Sequence, residues 1–173
     1  MKTFVRVLCV VMLLSVSSCI NDEADEVEEV VTSGAMLPDF AVTMHDGSTL
    51  TGEELRHAVS IVMFFHTGCP DCRAALPRVQ QLYDTYAAQG VMFALISREE
   101  EAASVAAYWE EQGFTMPYSA QSDRKVYELF ARKRVPRIYI SECGGVVRHI
   151  FTDNPVPDYD TLVEAIEGVN PLL

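Results

Sequence analysis

The chain has 173 residues, of which 49% are hydrophobic and 22% charged, and its formal net charge is −12. That length suits one domain with a sizeable core. So acidic a chain is a poor ligand for a phosphate backbone, which sets nucleic-acid binding aside.

The first segment stands apart from that domain. Lys2 and Arg6 make a basic start, Val7 to Val16 is mostly apolar, and Val16-Ser17-Ser18-Cys19 follows. The apolar stretch is shorter than a bilayer span, so residues 1–18 read as a signal peptide. The Val16–Cys19 stretch resembles a bacterial lipobox. That resemblance implies cleavage before Cys19, a lipid on its sulfur, and a membrane-anchored place in the cell envelope, on the periplasmic or cell-surface side. Residues 1–18 hold two of the 13 basic residues and none of the acidic ones, so the rest is more acidic still. Asp22, Glu23, Asp25, Glu26, Glu28 and Glu29 follow in a self-repelling run. Residues 19–35 are thus expected to form an acidic, disordered tether, and residues 36–173 the folded domain.

Within that domain Phe40 to Met44 and Thr49 to Thr51 are predicted strands around a His45-Asp46-Gly47-Ser48 turn, an N-terminal β-hairpin. Gly52 to His57 reads as a helical turn. Val59 to Phe65, apolar but for one Ser, predicts a buried strand. Thr67-Gly68 breaks it, and Cys69 and Cys72 bracket Pro70. A helix then runs to about Gln89, and Gly90 stops it. Val91 to Ile96 predicts another buried strand. Ser97 is placed to cap the next helix, with Glu99, Glu100 and Glu101 in its first turn and Gly113 at its end. Tyr118 to Ala120 predicts a short edge strand, and Asp123 to Lys133 a helix. Arg137 to Ile140 and Val146 to Phe151 predict strands joined through Cys143-Gly144-Gly145. Pro157 and Asp158 open a last helix to about Gly168, with Leu162, Val163 and Ile166 facing inward. This order implies an α/β fold with a mixed sheet and helices on both faces.

Cys69 and Cys72 carry the chemistry. At a helix start, Cys69 meets free backbone N–H groups and the positive end of the helix dipole, both of which favour the nucleophilic thiolate. Cys72 lies one turn on, within reach of a mixed disulfide at Cys69. The spacing predicts thiol–disulfide exchange, with Cys69 attacking, Cys72 resolving, and no cofactor. A zinc half-site uses the same spacing but needs two more ligands, and only Cys143 and His149 offer themselves. A structural disulfide is the other reading, although so short a ring removes little chain entropy. Cys143, roughly 15 Å of extended chain beyond Pro136, is expected to be unpaired, with an interchain disulfide as the alternative.

Pro38-Asp39-Phe40, the Asp46-Gly47 turn, Phe64-Phe65-x-Thr67-x-Cys69-x-x-Cys72, Pro77, Val135-Pro136 and Gly144-Gly145 stand in an order that resembles the thioredoxin superfamily. Within it the chain resembles the membrane-anchored TlpA/ResA-like thiol–disulfide oxidoreductases, over about residues 36–168. The resemblance implies a thioredoxin-like fold and a cis Pro136 lying against the disulfide. It also implies protein disulfides as substrates and a membrane thiol electron donor. The backbone of Val135 would receive a substrate chain as an added strand. Arg132, Lys133, Arg134 and Arg137 crowd the same loop as a positive patch. Val135, Pro136 and Arg137 are therefore the candidate substrate-binding residues.

Three departures bear on mechanism. Gly68 stands where the family usually has Trp, Met63 where thioredoxins bury an Asp, and Ala75 where nearer relatives carry Glu. Both usual proton-handling carboxylates are absent, yet Cys72 must lose its proton to attack. His66 and Asp71 are the local candidates for proton transfer. A peroxiredoxin pattern, Pro-x-x-x-Thr-x-x-Cys, fails because Val62 occupies the proline position. A copper-binding chaperone and a non-catalytic surface adaptor on the same fold are the alternatives.

Overall fold

The structure, a computed structural model, describes residues 29–169. The predicted signal peptide, Cys19 and the acidic residues before Glu29 lie outside the described residues. The hairpin forms as expected from β1 (Ala41–Thr43) and β2 (Thr49–Thr51), paired antiparallel. Its turn closes through the Asp46 carboxylate, which accepts the Ser48 N–H and hydroxyl. A short α1 (Gly52–Leu55) follows, with Thr51 and Glu54 forming a reciprocal capping box.

The central element is β3 (Ser60–Phe65), buried at all six positions. A strand covered on both faces reads as a continuous apolar run rather than an alternation. Its one polar residue, Ser60, has its hydroxyl 2.7 Å from that of Ser141. After it come α2 (Pro70–Tyr86), β4 (Met92–Ser97), α3 (Ala102–Gln112) and β5 (Tyr118–Ser119). β6 (Arg137–Ser141), β7 (Val147–Phe151) and α4 (Tyr159–Val169) complete the fold. The sheet order is β5-β4-β3-β6-β7, with β4 parallel and β6 antiparallel to β3. This is the thioredoxin-like mixed sheet flanked by helices.

Phe64 and Phe65 project to opposite faces of β3. Phe65 meets Trp109 of α3 at a ring distance of 5.0 Å. Phe64 meets Phe130 at 4.9 Å and Tyr127 at 5.4 Å. Phe130 in turn meets Phe40 of the hairpin at 5.7 Å. Each fully buried phenylalanine among them, Phe64, Phe65 and Phe130, contributes about 1.5–3 kcal/mol of burial. α4 buries Leu162, Ala165 and Ile166, and it packs against α2.

Three segments differ from expectation. Asp123 to Lys133 holds only a 3₁₀ turn at Tyr127–Leu129. Asp123 accepts the Lys125 N–H, a local bond that competes with helix formation. The Phe130 carbonyl is taken by the N–H groups of Val30 and Val31. Second, Ser97 ends β4 instead of capping α3, and its hydroxyl accepts the Gln121 N–H. The α3 cap position falls to Glu101, and Glu99 takes a φ of 57°. Third, Glu29 to Ala35 is not free tether. Glu29 pairs with Ala131, Val31 is buried, and the Ala35 carbonyl accepts the Val147 N–H at 2.8 Å. Buried Val31 supplies an anchor that the charge run conceals.

Candidate active site

Cys69 is the N-cap residue of α2, with Pro70 in the first turn and Cys72 one turn in. Both cysteines are free thiols. Cys69 is partly exposed and Cys72 is fully buried. Across from them the Val135–Pro136 bond is cis, and the Cys69 Sγ–H donates to the Val135 carbonyl at 3.4 Å. Sequence positions 66 residues apart thus meet at one end of the sheet, where β3 ends and β6 begins.

The turn that delivers Cys69 is bonded at each residue. The Thr67 N–H and hydroxyl both donate to the carboxylate of Glu100, which is 7% exposed. The Thr67 carbonyl accepts Arg73 Nε at 2.6 Å, and the Arg73 guanidinium lies over the Tyr108 ring. The Gly68 N–H donates to His66 Nδ1 at 2.9 Å, and the Cys69 N–H to the His66 carbonyl at 3.0 Å. Glu100 and Arg73 are residues that sequence reasoning missed. Glu100 sat in a run of three acids that imitates a helix first turn. Arg73 reads as an ordinary helix cation.

His66 is therefore a turn-maker. Its Nδ1 lone pair is engaged, so the neutral ring carries its proton on Nε2. A Cβ built on Gly68 would lie 3.1 and 3.2 Å from His66 ring atoms. The glycine and the imidazole are a matched pair: the ring occupies space that a side chain at position 68 would need. Gly68→Ala is expected to push the ring aside and weaken the Nδ1 bond. The loss should be about 0.5–1.5 kcal/mol in a chemical denaturation curve. An unchanged midpoint would mean that the ring moves freely.

Burial pushes the Cys72 thiol far above its ordinary value; Cys69 and Asp71 add to the rise, and a backbone hydrogen bond from His66 opposes it. The folded thiol holds its proton where the unfolded one releases it. That contribution is intact below the unfolded value, near 9.0, and is lost as pH rises beyond it. Reduced protein should lose about 1.4 kcal/mol per pH unit above about pH 9, measured by denaturation at about pH 8 and about pH 10. The oxidised form has no proton on Cys72 and serves as control. The tyrosines that burial also shifts upward, Tyr86, Tyr108 and Tyr139, titrate in both forms. Equal pH slopes in the two forms would refute the assignment.

An open cleft of about 500 Å³ surrounds Cys69, lined by His66, Asp71, Arg98, Arg134, Val135 and Asp153 among others. Of the predicted cations only Arg134 reaches it, with Asp153 3.8 Å away. Arg98, unforeseen, is a second cation in the lining. Asp71 is solvent-exposed. Arg137, expected at the surface beside Pro136, is instead 1% exposed and paired with Glu29. It shares a face of β6 with buried Tyr139, two residues on, and that face lies inside the domain. Cys143 is exposed at the β6–β7 turn, its Sγ–H directed at the His57 carbonyl. Among the described residues no group of three or more His, Cys, Asp or Glu side chains is arranged to hold a metal ion.

The AhpC/TSA family model matches residues 33–150. Thiol-disulfide oxidoreductase ResA of Geobacillus kaustophilus is 24% identical over 145 residues, 84% of this chain and 83% of that protein. The crystal structure of a thiol:disulfide interchange protein of the thioredoxin family from Chlorobium tepidum superposes with a TM-score of 0.70. It is 22% identical, and the match covers 80% of this chain and 97% of that one. The pneumococcal exposed lipoprotein thioredoxin Etrx1 from Streptococcus pneumoniae superposes with a TM-score of 0.64 at 14% identity, covering 76% and 99% of the two chains. The matched span holds the hairpin, both cysteines and the cis Val135–Pro136 bond; the chain belongs to the AhpC/TSA family and is a thioredoxin-fold oxidoreductase.

Proposed function

We propose that the protein reduces protein disulfides outside the cytoplasm, through Cys69 and Cys72. The observation that carries this reading is the facing pair: a partly exposed Cys69 at a helix N-terminus and the Val135 carbonyl 3.4 Å from its sulfur. The Cys69 thiolate attacks one sulfur of the substrate disulfide, forming a mixed disulfide and releasing the other sulfur as a thiolate. Cys72 then gives up its proton and attacks the Cys69 sulfur. The second substrate thiol leaves, and Cys69–Cys72 is left as a disulfide. Two electrons pass to the substrate, and a dithiol donor, proposed to be a membrane thiol protein, must return them. Val135 and Pro136 receive the substrate chain by main-chain hydrogen bonding, as an added strand.

Deprotonation of Cys72 is the demanding step, since its burial favours the neutral thiol. The His66 ring has its Nδ1 occupied by Gly68, so water entering the Cys69 cleft is the proton acceptor this geometry favours. Asp71, exposed at the first turn of α2, contributes a charge that raises Cys72 further. The lipobox-like Val16–Cys19 stretch supports a lipid anchor on Cys19, and an exposed lipoprotein among the structural relatives agrees with that placement.

The test is a redox titration of the full chain across a dithiothreitol series, with thiols trapped by a mass tag and insulin reduction assayed in parallel. A reversible two-electron step confined to Cys69 and Cys72, with insulin reduction, is expected. No exchange at any poise, with a Cys69–Cys72 bond that resists reduction in the native state, would leave only a structural disulfide.

A further inference from the structure

Arg137 follows Pro136 directly in the chain and is buried. A buried guanidinium requires occupied donors and a compensating charge. Its Nε and Nη2 both donate to the Lys133 carbonyl, at 3.0 and 2.7 Å. Its Nη1 pairs with the Glu29 carboxylate. The other Glu29 oxygen accepts the Tyr139 hydroxyl at 3.0 Å, and the Glu29 backbone pairs with Ala131. One residue on from Lys133, the Arg134 carbonyl accepts the Tyr127 hydroxyl at 2.7 Å. Two successive carbonyls are thus held immediately before the third, Val135, which meets Cys69 Sγ.

We propose that Glu29 is a positioning residue for substrate docking: acting through Arg137, it fixes the Lys133–Pro136 loop so that the Val135 backbone faces an incoming chain. The inference rests on the redox reading above and deepens it. Recognition at Val135 is main-chain recognition, so the substrate class is a protein or peptide with an extended segment beside its cystine. A small disulfide needs only the Cys69 sulfur. Glu29 touches neither cysteine, and its effect is therefore selective between the two kinds of substrate.

The experiment compares full-length wild type, Glu29→Ala and Glu29→Gln on insulin and on hydroxyethyl disulfide. Glu29→Ala is expected to raise the KM for insulin about tenfold, the equivalent of one well-placed hydrogen bond, with kcat within about twofold. Its rate on hydroxyethyl disulfide should equal that of wild type. Glu29→Gln keeps one oxygen for Arg137 and turns its amide N–H toward the Tyr139 hydroxyl, which can accept it, and should recover most of the insulin KM. Thermal melting of both variants reports folding. Equal insulin KM in wild type and Glu29→Ala would overturn the proposal. So would a parallel loss on both substrates, which marks a merely structural role. A wild type that reduces neither substrate would instead sink the redox reading, and this inference with it.

Discussion

Cys72→Ala is expected to stop turnover while leaving the first chemical step intact, so that the variant accumulates mixed disulfides through Cys69. The two thiols differ in exposure: Cys69 is accessible and Cys72 is fully buried. Of these two, Cys69 is the one a substrate sulfur can meet, and Cys72, one helical turn on, is proposed to break the bond that forms. Resolution by a tethered thiol is effectively unimolecular, with effective molarities of about 10⁵ M or more for well-oriented groups. Solvent thiol at millimolar concentration is a poor substitute, so turnover should fall by at least roughly 10³-fold. Folding should survive. Alanine is a good helix former, and the deleted sulfur leaves a small hole worth about 1 kcal/mol. Non-reducing mass spectrometry of the variant incubated with insulin should show a covalent adduct, absent when Cys69→Ala is added. Normal turnover by Cys72→Ala, or an adduct that survives loss of Cys69, would reverse the assigned roles.

What the sequence displays is local chemistry, and what it hides is long-range pairing. β3 is legible because a strand buried on both faces must be apolar at every position. Gly90 and Gly113 are legible because helices end in a left-handed residue, and both have positive φ. The cysteine spacing exposes the chemistry in the same way. Glu100 was hidden because its partner, Thr67, lies 33 residues away, and no pattern within the helix announces that bond. Arg137 was misread as one of four equivalent loop cations. A clue existed: it stands two residues before Tyr139 on the same strand, and residues so spaced share a face. Pairing of Phe64 with Arg137 across β3 and β6 sends that face into the domain. Charge counting also misplaced Glu29, whose carboxylate is balanced by a guanidinium far along the chain. Acidic composition speaks to repulsion within the run and says nothing of what its last member, Glu29, meets.

Glu100→Ala is expected to destabilise the protein by about 2–4 kcal/mol and to slow reduction of both protein and small disulfides. The carboxylate is the acceptor for the Thr67 N–H and hydroxyl, in a place where water does not compete. Removing it leaves a backbone donor unsatisfied, at about 1–3 kcal/mol, and a hydroxyl beside it. Thr67 also holds Arg73 through its carbonyl, so the two sides of the turn slacken together. Cys69 is two residues further on, and an error of about 1 Å there is enough to cost roughly 10²-fold in rate. Glu100→Gln separates charge from geometry. Its carbonyl can accept the Thr67 N–H while its amide donates to the hydroxyl, so the loss should shrink to about 1 kcal/mol. Thr67→Val removes the hydroxyl bond alone and should fall near the same value. Denaturation midpoints for the three variants therefore order with Glu100→Ala lowest. A Glu100→Ala protein as stable and as fast as wild type would mean that Arg73 and His66 hold the turn without the carboxylate. Because this turn serves Cys69 whatever the substrate, its failure slows every disulfide alike, whereas slackening of the Val135 loop discriminates between large and small ones.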